Sequence, residues 1–134
     1  MPGLTGVTRI AAGDGFSLAL RSDGTAWAWG NNYDGELGDG ATDSSSVPVQ
    51  VSGLSQVTSI AAGIDSALAI RTQGITTVKT VQAWGGNSSG QLGDGSTAGV
   101  TGAVLVPGLS GVSQVSAGGD FSLAIHHALL VVHP

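Results

Sequence analysis

The chain has 134 residues, nine of them acidic and four basic, for a formal net charge of −5, and it contains no cysteine. The absence of cysteine excludes a disulfide framework, a thiolate metal site and a cysteine nucleophile. The four basic residues, Arg9, Arg21, Arg71 and Lys79, are scattered and form no stripe able to neutralise nucleic-acid phosphates.

The 23 glycines, set among many Ala, Val, Ser and Thr residues, favour short strands and tight turns, so the predicted class is all-β. Alternation over Val7-Thr8-Arg9-Ile10-Ala11-Ala12 predicts a first strand with small apolar residues on both faces, as expected of a strand between two other layers. Phe16-Ser17-Leu18-Ala19-Leu20-Arg21 predicts a second strand, with the larger side chains on one face. Asp23-Gly24 then signals a hairpin. A third strand follows at Thr25-Ala26-Trp27-Ala28-Trp29, and a fourth at Val47-Pro48-Val49-Gln50-Val51, where Pro48 marks a sheet edge.

The pattern then returns. Val57-Thr58-Ser59-Ile60-Ala61-Ala62-Gly63 repeats the first block, and Val112-Ser113-Gln114-Val115-Ser116-Ala117-Gly118 repeats it again. Gly13, Gly63 and Gly118 thus mark a period near 50 residues, which is the signature of a repeat architecture. Ala28-Trp29-Gly30 recurs as Ala83-Trp84-Gly85, and Gly35-Glu36-Leu37-Gly38-Asp39-Gly40 as Gly90-Gln91-Leu92-Gly93-Asp94-Gly95. Trp27 becomes Gln82, so Trp29 and Trp84 are expected to pack between repeats, with Trp27 half-exposed. The extra residues of the second repeat fall between Arg71 and Ala83 and are expected to lengthen a loop.

Four short antiparallel strands per unit predict a partial β-propeller of two full four-stranded blades and part of a third. The expected units are residues 7–56, 57–111 and 112–125. Residues 126–134, with His126, His127 and His133, form a tail that leaves the repeat.

These ordered blocks resemble the regulator of chromosome condensation (RCC1) repeat, and the second repeat, with Trp84-Gly85-Asn87 and Gly90-Gln91-Leu92-Gly93, does so most closely. Gly13, Trp29, Gly30, Gly38, Gly63, Trp84, Gly85, Gly93 and Gly118 carry the structural motif. The resemblance implies a seven-bladed propeller used mainly as a binding scaffold. Where the family commonly carries His ahead of the second-strand Ser, this chain has Phe16, Ser66 and Phe121.

The sequence offers no catalytic set and implies no cofactor. Asp34, Glu36, Asp39 and Asp43 lack regular calcium-ligand spacing and read as turn residues. The adjacent His126 and His127 would point to opposite faces of a strand and could not chelate one metal together. Asn87-Ser88-Ser89 is a formal glycosylation acceptor that also fills the family's Asn-containing turn.

The expected function is therefore a non-enzymatic scaffold that binds a protein partner, with candidate contact loops at Asp39, Asp43 and Asp94. Self-association through open blade faces is also expected. Neither nucleic acid nor membrane is an expected partner of this chain. The resemblance leaves two alternatives open: part of a guanine-nucleotide exchange factor for a small GTPase, or a secreted bacterial-type inhibitor of an enzyme such as a β-lactamase.

Overall fold

The computed structural model describes residues 4–72, 78–87, 90–93, 98–106, 112–117 and 122–126. Ten strands follow one another: β1 (Val7–Ala12), β2 (Phe16–Arg21), β3 (Ala26–Gly30), β4 (Ser45–Gln50), β5 (Val57–Ala62), β6 (Ser66–Thr72), β7 (Lys79–Gly85), β8 (Val100–Leu105), β9 (Val112–Ala117) and β10 (Ser122–His126). They form two four-stranded antiparallel sheets, ordered β1-β2-β3-β4 and β5-β6-β7-β8, and a two-stranded sheet of β9 and β10. This is the expected pair of blades plus part of a third. β4, with Pro48, lies at a sheet edge, where a residue without an N–H costs no ladder bond.

The repeats agree in their irregularities as well as in their strands. Pairing slips between Val7 and Arg9 in the first blade and between Val57 and Ser59 in the second. A further slip falls between Ala28 and Gly30, and again between Ala83 and Gly85. Trp29 and Trp84 sit at those second bulges, each followed by a glycine at positive φ, 110° and 98°. A Cβ at Gly30 or Gly85 would overlap the carbonyl oxygen of Gly15 or Asp65, so the bulge that aims the indole requires glycine after it.

The blades stack a leucine-bearing face on a face of alanines and one tryptophan. Leu18, Leu20 and Leu37 of the first blade pack in one cluster with Ala67, Ala69 and Trp84 of the second. On the second blade's other side, Leu68, Ile70, Val81 and Leu92 meet Val112, with Val115 and Ala117 alongside. Alternation along each strand delivers one residue set to each neighbour.

Three expectations are corrected. β1 is expected to be covered on both faces, yet Val7, Thr8, Arg9, Ile10 and Ala12 are exposed, because no other described blade packs on that side of it. Its counterpart β5 is mostly covered by the first blade. The insertion after Arg71 is not simply a loop: Arg71 pairs with Thr80 and Thr72 with Lys79, so part of it extends the β6–β7 hairpin. Thr and Val in that stretch favour strand, and continued pairing satisfies their backbone groups. Trp29 is expected to pack between repeats but lies only partly buried, beside Ile10, Ala12 and Ser17, on a face that no other described strand covers.

Candidate interaction site at the blade rim

The Gly35-Glu36-Leu37-Gly38 turn of the first repeat is the seat on which the second repeat is fixed. Asn32, fully buried, accepts a hydrogen bond at Oδ1 from the Leu37 N–H at 2.9 Å and donates from Nδ2 to the carbonyls of Ala41 and Asp43, each at 3.0 Å. Asn87 does the same one repeat later, taking the Leu92 N–H at 2.9 Å and donating to the Ala98 carbonyl at 2.9 Å. One buried amide therefore ties each turn to the loop beyond it. Trp84 closes the seat: it is 0% exposed, and its Nε1–H donates to the Glu36 carbonyl at 2.9 Å. Gly38, at a φ of 64°, lies beneath the ring, where a Cβ would stand 2.9 Å from the indole.

Above this seat the rims of the two blades meet. The Gly40 N–H donates to the Thr101 carbonyl at 2.8 Å, and the Asp14 N–H to the Ile64 carbonyl at 3.2 Å. An open recess of about 340 Å³ lies between them, lined by Tyr33, Asp34 and Thr42 from the first repeat and by Asp65, Gly86 and Thr101 from the second. Tyr33 is 79% exposed. Gly86 leaves room for the Asp65 carboxylate, which would lie 2.5 Å from a Cβ placed there. Gln91 donates from Nε2 to that carboxylate at 3.3 Å.

The recess is electronegative. Glu36 is almost wholly buried and accepts a hydrogen bond from the Asp34 N–H at 2.8 Å. Its pKa is raised above the ordinary glutamate value chiefly by burial, which outweighs the lowering by backbone hydrogen bonds; the charges of Asp34 and Asp65 add smaller rises. At the far hairpin Asp23 is held below its ordinary range, chiefly by accepting hydrogen bonds from the Thr25 hydroxyl at 2.6 Å and the Thr25 N–H at 3.0 Å. Among the described residues no group of three His, Asp or Glu side chains could hold a metal ion.

Of the loop acids singled out from sequence, Asp39 turns inward, its Oδ1 accepting from the Ala41 N–H at 3.1 Å and from Asn32 Nδ2 at 3.2 Å. Asp43 is exposed, and its carbonyl receives Asn32. Asp94 and Gly118 lie outside the described residues, as do residues 127–134. Gly13 and Gly63 sit at equivalent β1–β2 and β5–β6 turns, their N–H groups donating to the Phe16 and Ser66 carbonyls at 2.8 Å each. Tyr33 and Asp65, which give the recess its chemistry, escape sequence reasoning because neither recurs: their positions hold Ser88 and Gly15 in the other repeat.

The RCC1 repeat model matches residues 23–70 and 80–125, and a second model of the same repeat matches residues 7–36. The chain belongs to the RCC1 repeat family. It is 36% identical over 121 residues to human E3 ubiquitin-protein ligase HERC2, covering 89% of this chain and 2% of that protein. Its fold matches that of human WBSCR16 with a TM-score of 0.80 at 25% identity, covering 94% of this chain and 32% of that one. Prp20p of Saccharomyces cerevisiae gives a TM-score of 0.79 at 21% identity, over 92% of this chain and 32% of that one. The chain thus spans about a third of these propellers and a small fraction of HERC2.

Proposed function

We propose that the chain is a non-enzymatic interaction module, and that the rim recess of Tyr33, Asp34 and Asp65 receives a basic segment of a protein partner. The observation that carries this reading is the recess itself: an exposed phenol ring and two carboxylates around an opening of about 340 Å³, on a chain of net charge −5. Carboxylates pair with Arg or Lys, and an aromatic face attracts the same cations. The structure of Prp20p was determined together with its binding properties to Gsp1p and histones, so a propeller of this fold serves as a protein-binding surface in that case. HERC2 bears the name of a ligase, but the match spans 2% of it, and no ligase chemistry is transferred here. No described residue favours nucleotide exchange or enzyme inhibition over this reading.

The test is fluorescence anisotropy with labelled Arg/Lys-rich and Asp/Glu-rich peptides of matched length. The basic peptide should bind and weaken with added salt. Tyr33→Ala, and Asp34→Asn combined with Asp65→Asn, should each weaken it by about tenfold. Equal binding by these variants, or a preference for the acidic peptide, would refute the assignment.

A further inference from the structure

The two blades share a register but not the finish of their outer edges. Neighbouring blades converge on the side of β1, β5 and β9, whereas β4 and β8 pack within their own sheets and end them. In the first blade two devices close that edge. The Ser45 hydroxyl accepts from the Val47 N–H at 3.2 Å and donates to the Val47 carbonyl at 2.6 Å, and Pro48 has no N–H to offer. The Val51 N–H donates to the Ala26 carbonyl at 2.9 Å, with Gln50 opposite Trp27 and Val49 opposite Ala28. Alternation therefore turns the backbone of Val51 and Val49 toward β3 and that of Gln50 and Pro48 outward.

The second blade has neither device. The Val106 N–H donates to the Val81 carbonyl at 2.9 Å, with Leu105 opposite Gln82 and Val104 opposite Ala83. Leu105 and Ala103 thus take the outward places of Gln50 and Pro48, and Ala103 restores the N–H that proline lacks. Val100 stands in the register position of Ser45, and Gly102 in that of Val47. Charged side chains and proline are two ways in which a sheet edge avoids pairing, and Val100–Leu105 contains neither. Leu105 is 47% exposed. This strand also leads to the rim recess, which Thr101 and Gly99 help to line.

We infer that the outer edge of β8 takes up an extended segment of the protein partner as an added strand. The segment's backbone pairs with Ala103 and Leu105, and its basic side chains reach past Thr101 to Asp34 and Asp65. This rests on the reading that the recess receives a basic segment, and it adds the segment's conformation and its main-chain partners. Main-chain bonds supply affinity in such pairing, so selectivity falls to the side-chain sites beside the edge. Charge complementarity favours a basic partner over a second copy of this chain, because each copy carries a net charge of −5 and would bring a like-charged recess.

Fluorescence anisotropy on the full chain tests this, with a labelled Arg/Lys-rich peptide of about eight residues and two versions of it N-methylated on alternate amides, one in each phase. An added strand presents every second N–H to its neighbour, so one phase should weaken binding by about tenfold or more and the other should change it by less than about twofold. Ala103→Pro, which copies Pro48 at the matching position, should weaken the unmodified peptide by about tenfold. Ala103→Ser keeps the N–H and should bind as the parent chain does. The methylated peptides need no variant, so they decide the matter even if Ala103→Pro fails to fold. Equal effects of the two phases, or full binding by a folded Ala103→Pro alongside loss in Tyr33→Ala, would overturn strand addition and leave the recess reading standing. A basic peptide that the parent chain does not bind would overturn both.

Discussion

Trp29 and Trp84 occupy the same place in two repeats, so replacing each by alanine isolates what a neighbouring blade contributes. Trp84 is fully buried, packs in the core with Leu37, and donates its indole hydrogen to the Glu36 carbonyl at 2.9 Å. Truncation of a buried indole costs about 3–5 kcal/mol. The abandoned carbonyl accounts for about 1 kcal/mol or more of that loss if no water reaches it. Trp29 is only partly buried, beside a recess that already admits solvent, so Trp29→Ala should cost about 1–2 kcal/mol. Urea unfolding followed by circular dichroism, which does not depend on the tryptophans being replaced, measures both. A domain of this size has about 5–15 kcal/mol in total. If Trp84→Ala fails to fold, Trp84→Phe keeps most of the apolar contact, removes the hydrogen bond, and should cost about 1–2 kcal/mol. Equal costs for Trp29→Ala and Trp84→Ala would refute the idea that repeat-to-repeat stacking, rather than the blade alone, fixes the indole.

Glu36 supplies a pH test whose control is written one repeat later as Gln91. Its folded-state pKa lies above the ordinary 4.5, so folding disfavours the ionised form: the penalty is full at neutral pH and is relieved as pH falls through the raised value toward 4.5. Glu36→Gln should therefore be the more stable chain near neutral pH, with the gap closing toward about pH 5; urea midpoints that differ equally at both pH values would contradict burial as the cause. A second exchange concerns the rim, where Gly86→Asn should drive the Asp65 carboxylate off its place and cost about 1–2 kcal/mol. Adding Asp65→Gly, which copies the Gly15 and Asn31 pair of the first repeat, should recover about 1 kcal/mol relative to additivity; strictly additive urea stabilities would show that the two positions do not share one space.

The strands were legible because the repeat states them more than once. Val7–Ala12 and Val57–Ala62 each read as strand, and both are strands, since alternation and turn chemistry are local properties that a sequence carries directly. What a repeated motif does not give is how deeply each copy of it is buried. Identical motifs give Trp84 a seat and leave Trp29 at an open face, because burial of a blade face is decided by another blade. The extended β6–β7 pairing was missed for a related reason: a period shared between repeats says nothing about residues present in only one of them.

The rim recess belongs to that unshared part, which is why repetition both hides it and explains it. In the first repeat the space beside the β1–β2 turn is filled from Asn31, and Gly15 makes way; in the second it is filled from Asp65, and Gly86 makes way. The two side chains have similar volume, so either an amide or a carboxylate fills the space. The surface is not indifferent, because only the second places a charge against Asp34 and the buried Glu36. A constant blade can thus exchange its rim chemistry through paired small-for-large substitutions at little cost to stability, and the first-to-second repeat boundary is where this chain has used that freedom to gather negative charge.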